Sequence, residues 1–88
     1  MIKPTIHRNG TGRDQLLEQV LEAGHKVYEA LKALEAASPN GRDYYPQGPD
    51  AINTAVQEYT VRVYKLKEVW DDLQELAIHI SDAEGGAR

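Results

Sequence analysis

Few residues in this chain have types and spacing that suggest chemistry. Glu75, His79 and Asp82 recur at i, i+4 and i+7, which places them on one face if the segment is helical. A helical hairpin closed through residues 38–48 would also bring His7 beside His79. Two imidazoles and a carboxylate with an open position form a donor set suited to Zn²⁺. The plainer reading is an exposed helix end with ordinary polar residues, and no ligand spacing here is motif-like. We therefore expect no metal and keep His7, His79 and Asp82 as remote candidates.

Glu68, Asp71, Asp72 and Glu75 form an acidic cluster that reads as a partner-facing surface, a cation site or simply a solvated helix face. A dedicated Ca²⁺ loop differs, with alternating oxygen ligands around a central Gly. Arg42, Asp43, Tyr44 and Tyr45 sit in a Gly/Pro-rich segment. Aromatic and Arg side chains on a loop suit recognition, but the two tyrosines could equally fold back and cap the end of a bundle. Paired tyrosines can stack bases. Only Arg42 is basic nearby, however, and the formal charge of −4 disfavours phosphate-backbone binding. We expect no nucleic-acid partner. There is no cysteine, which excludes disulfides, thiolate metal sites and a Cys nucleophile. No Ser or Thr is arranged with His and carboxylate as a triad. The expectation is a chain with no catalytic residues and no cofactor, and hence not an enzyme.

The elements that must position these residues are helical. The 88 residues fit one domain, 1–88. Pro4 and Asn9-Gly10 mark residues 1–11 as an extended arm. Thr11 followed by Asp14 is a variant capping box, so helix 1 is expected over about 12–37, ended by Ser38-Pro39-Asn40-Gly41. A loop follows over about 38–48. Gly48-Pro49-Asp50 reads as a start, with Pro at the first helical position, giving helix 2 over about 49–82 and a flexible tail at 83–88.

Both helices carry a heptad seam. Leu17, Val20, Gly24, Val27, Leu31 and Leu34 alternate three- and four-residue steps, widened by Leu16, Leu21 and Tyr28. Ile52, Val56, Tyr59, Val63, Leu66, Trp70, Leu73, Ala77 and Ile80 do the same, widened by Val69 and Leu76. Each apolar arc spans roughly 160°, broader than one partner helix needs. In the simplest register Arg62 lies opposite Gly24. That glycine then either admits the Arg62 stem or a neighbouring helix, or Arg62 snorkels from the stripe edge. Helix 2 also exceeds helix 1 in length, which would leave its C-terminal end to be covered by Ile2 and Ile6 of the arm.

These features predict an all-α fold, an antiparallel two-helix hairpin that dimerises into a four-helix bundle. The functional expectation is a structural or protein-interaction module that self-associates as a homodimer. The alternative is a small accessory subunit that buries the same apolar face against another protein. No run of residues approaches a membrane span and no apolar leader opens the chain, so the expected location is the cytoplasm.

The arm Thr5-Ile6-His7-Arg8-Asn9-Gly10-Thr11 and the loop Asn40-Gly41-Arg42-Asp43-Tyr44-Tyr45-Pro46 resemble small uncharacterised helical proteins of bacterial and phage or prophage type. The resemblance covers those two segments and implies such a source without implying an activity. In size and topology the chain is also similar to the secreted helical-hairpin family with a Trp-x-Gly turn, and Tyr64-x-x-x-Glu68 looks like that family's C-terminal secretion signal. The loop has no Trp-x-Gly, and Trp70, the single Trp, lies deep in helix 2. Those departures decide against membership.

Overall fold

The computed structural model describes residues 1–83. Helix α1 spans Arg13–Ala36 and helix α2 spans Ala51–Asp82, with short 3₁₀ turns at Gly41–Asp43 and Tyr45–Gln47 between them. The two long helices pack against each other as an antiparallel hairpin, so the all-helical hairpin expected from the heptad seams is present. Apart from Ala83, the expected flexible tail lies outside the described residues.

The helix ends differ in detail from the sequence expectation. Thr11 does not cap α1. Gly12 occupies that position without a side-chain bond, and its carbonyl accepts from the Leu16 N–H at 2.9 Å. Asp14 still lies in the first turn, where a carboxylate complements the helix dipole. α1 stops because Pro39 offers no N–H and disfavours helical backbone at Ser38. α2 begins at Ala51, two residues after the expected start, because Asp50 takes the cap and Pro49 precedes it. Gly48 enters with φ 110° and ψ 166°, a combination essentially confined to glycine.

The register is the main correction. Gly24 packs against Leu73 and Gln74: a Cβ built on it would lie 3.9 Å from Leu73 Cβ and 3.4 Å from Gln74 Nε2. Arg13 Nη2 donates to the Ser81 carbonyl at 2.6 Å. α1 is thus slid about three helical turns toward the C-terminal end of α2 relative to the simplest hairpin. The cause is the connection. The Tyr45–Gln47 turn folds back against α2 and takes up the length beside its first turns that a bare loop would have left to α1. Arg62 consequently does not face Gly24, and it is exposed. The C-terminal end of α2 has α1 beside it after all.

The predicted seam otherwise packs as expected. Gly24 is buried, and Leu17, Val20, Val27, Leu31 and Leu34 are half-buried. On α2, Tyr59, Val63, Leu66, Trp70 and Leu73 are half-buried, while Ala77 and Ile80 are buried. Val56 is 44% exposed, and its neighbour Ala55 holds the buried position instead.

Candidate functional site

The arm, the start of α1 and the end of α2 meet at one end of the hairpin. Lys3 Nζ lies 3.1 Å from Glu75 Oε1, and His79 Nε2 donates to the Pro4 carbonyl at 2.8 Å. A carbonyl can only accept, so Nε2 carries the hydrogen and its lone pair is not free for a metal. Among the described residues no hydrogen bond joins His7 to His79. The His7 ring lies over Gly10, whose hypothetical Cβ would come within 2.8 Å of His7 Nε2, and the Gly10 N–H donates to the His7 carbonyl at 3.1 Å. A side chain at residue 10 would require the exposed His7 ring to swing aside. Asp82 is exposed. Among the described residues no group of three or more His, Asp or Glu side chains is placed to hold a metal ion. Ile2, expected to pack on this end, is 95% exposed, whereas Ile6 is half-buried. An open depression of about 540 Å³ runs past Lys3, Glu75, Ile78 and Asp82 on the outer face of α2.

The loop separates its two tyrosines. Tyr44 is half-buried, as capping requires, while Tyr45 is 77% exposed. Arg42 is tied back to the loop: its N–H donates to Asn40 Oδ1 at 2.9 Å and its Nε to the same oxygen at 3.3 Å. Asp43 is exposed. The geometry leaves Tyr45 and Asp43 as the outward-facing pair and fixes Arg42 as part of the turn.

Exposed apolar side chains also run along the middle of α2. Val61, Tyr64 and Val69 are 50%, 63% and 47% exposed, and on α1 Leu21 and Tyr28 are 48% and 47% exposed. Val61 and Tyr64 fall off the heptad seam; Tyr64, whose aromatic ring reads from the sequence as core or interface, is not in the core of the single hairpin. A full helical-wheel projection of residues 56–70 marks them, because apolar side chains there point nearly all the way round the helix. Among the same residues Arg62, Lys65 and Lys67 are exposed, followed by exposed Glu68, Asp71 and Asp72. Among the described residues none of these six charges forms an ion pair. The charged side chains of α1 behave differently, with His25–Glu29 at 2.8 Å and Lys26 between Glu22 and Glu29.

The chain matches no family model, no curated protein and no solved structure. Among the described residues no helix is long and apolar enough to cross a membrane.

Proposed function

We propose that this protein is a non-enzymatic structural or interaction module that works as a homodimer, two hairpins closing a four-helix bundle in the cytoplasm. One observation carries the reading: the single hairpin has almost no core. Among the described residues only Ala55, Ala77 and Ile80 are buried hydrophobics. The Cα radius of gyration is 19.1 Å, whereas a compact chain of this length has about 12 Å. The accessible surface is 6678 Å², against roughly 5,200 Å² for a compact monomer of its 9.8 kDa mass. A standard interface covers about 800 Å² on each partner, so docking a second hairpin is enough to remove most of that excess.

Light scattering coupled to size-exclusion chromatography tests this. The expected mass is twice 9.8 kDa at micromolar concentration, falling toward one chain on dilution. A well-folded monomer with a cooperative melt at all concentrations overturns the proposal. A helical monomer that melts without cooperativity favours the accessory-subunit reading, in which another protein supplies the missing face.

A further inference from the structure

We infer that the two copies pack antiparallel through α2, their two-fold axis crossing near residue 67; this rests on the homodimer proposed above. The surface that carries it is the stripe Arg62, Lys65, Val69 and Asp72, whose steps of three, four and three residues put it on one helical face. All four are exposed, so α1 leaves the stripe uncovered.

The stripe is symmetric in position about residue 67, and its outer pair, Arg62 and Asp72, is opposite in charge. A second copy laid antiparallel places Arg62 against Asp72 of the second copy, and the same pair recurs across the axis. Lys65 then meets Val69, with Glu68 alongside. This is the self-complementarity that a two-fold interface demands. A parallel arrangement sets Arg62 on Arg62 and Lys65 on Lys65, and like charges face to face are what electrostatic complementarity selects against. The larger pattern agrees, since Arg62 and Lys65 precede the midpoint of α2 and Glu68, Asp71 and Asp72 follow it, while Lys67, level with the axis, lies about half a turn round the helix from the stripe. None of the six is paired within the chain among the described residues. The helix could have matched Lys65 with Glu68, or Lys67 with Asp71, along its own surface. Both blocks are exposed to a partner, and Val69, 47% exposed between them, supplies apolar area at the centre.

Orientation can be read directly, because the chain has no cysteine to compete with an introduced label. Asn53 is exposed on the first turns of α2. In Asn53→Cys carrying a nitroxide, the antiparallel dimer separates the two labels by about 42 Å along the helix axis, whereas a parallel dimer holds them within roughly 25 Å. Pulsed electron resonance distinguishes the two, and a dominant short distance overturns the inference while leaving the homodimer standing. Charge exchange provides a second test. Arg62→Glu with Lys65→Glu should weaken dimerisation at least tenfold by sedimentation equilibrium, as should Glu68→Lys with Asp72→Lys. Combining all four substitutions should restore it to within about threefold, since the opposed charges again match in antiparallel order. Helix content by circular dichroism confirms that each variant folds. Doubly substituted chains that dimerise like the wild type overturn the interface. A wild type that is monomeric in the same runs overturns the homodimer itself, and the orientation with it.

Discussion

The two ends of the hairpin are built to different degrees of completion. Where the arm meets the end of α2, Ile80 is wholly buried, the arm is bonded to α2 through Pro4 and His79, and Arg13 reaches the Ser81 carbonyl. Toward the loop the same two helices run side by side with Val61, Tyr64 and Tyr28 exposed. The helices are continuous across both regions, so the difference does not lie in their regularity. It lies in how many elements surround α2. Near its C-terminus it has α1 on one side and the arm on another; in its middle it has α1 alone. An apolar arc of the width read from the sequence needs more than one neighbour, and only the terminal end has a second one within the chain.

The comparison breaks most readily at Ile80. Ile80→Ala removes a fully buried side chain and leaves a cavity that the arm and α1 can only partly close, at a cost of about 2–5 kcal/mol in urea denaturation. Val69→Ala, on a side chain 47% exposed, should cost about 0.5 kcal/mol or less at high dilution. If dimerisation covers it, the cost grows with protein concentration, and that growth separates an unfinished surface from a merely tolerant one. Equal, concentration-independent losses at the two positions would remove the distinction between the regions.

Gly48 sharpens the comparison from the loop side. Its φ of 110° with ψ 166° is reserved for glycine, and the turn that it closes holds the connection against α2. Gly48→Ala should destabilise by about 1–3 kcal/mol. Because the folded-back loop sets the register, the same variant should also perturb the amide resonances of Leu73 and Gln74 across from Gly24. A loss of stability with unchanged resonances there would mean that helix packing alone fixes the register.

This register was the least legible part of the sequence. The heptad steps disclosed both helices and nearly every seam residue, since periodicity follows from the 3.6-residue turn whatever the partner. They are silent about sliding: a seam that repeats every seven residues matches its neighbour almost as well one heptad along. The deciding contribution came from Tyr45–Gln47, whose packing against α2 depends on a local turn and a left-handed glycine rather than on any repeat. The repeat is equally silent about His7 and His79, whose rings are set by local partners, Gly10 for the one and the Pro4 carbonyl for the other. The arm was expected to cover the end of α2 through Ile2 and Ile6; it is held there by Lys3 on Glu75 and the Pro4 carbonyl on His79, while Ile2 is exposed and Ile6 half-buried.

Gly24 offers a smaller effect of opposite sign. Its added Cβ would sit in ordinary contact with Gln74 and Leu73, at 3.4 and 3.9 Å, so the site accepts a methyl group. Replacing a mid-helix glycine by alanine favours the helix by about 0.5–1 kcal/mol, and Gly24→Ala should stabilise the hairpin by up to that amount in thermal unfolding. Gly24→Leu should reverse the sign, because the larger side chain has to push α2 away. Destabilisation by alanine would show the helices already too close at this point for any Cβ.

The smallest effect concerns the arm's ion pair. Lys3 and Glu75 are 3.1 Å apart, but their side chains are 36% and 56% exposed, and solvent weakens such a pair to well under about 1 kcal/mol. Lys3→Ala should therefore lower stability only slightly, and the difference from wild type should vanish as salt rises above about 0.5 M. The Pro4 carbonyl and Ile6 remain in place in that variant, so the arm should keep its position, which amide protection at Ile80 and Ser81 reports. If protection there is lost with Lys3 alone, the ion pair holds the arm, and the completeness of the terminal end depends on charge rather than on the apolar contact beneath it.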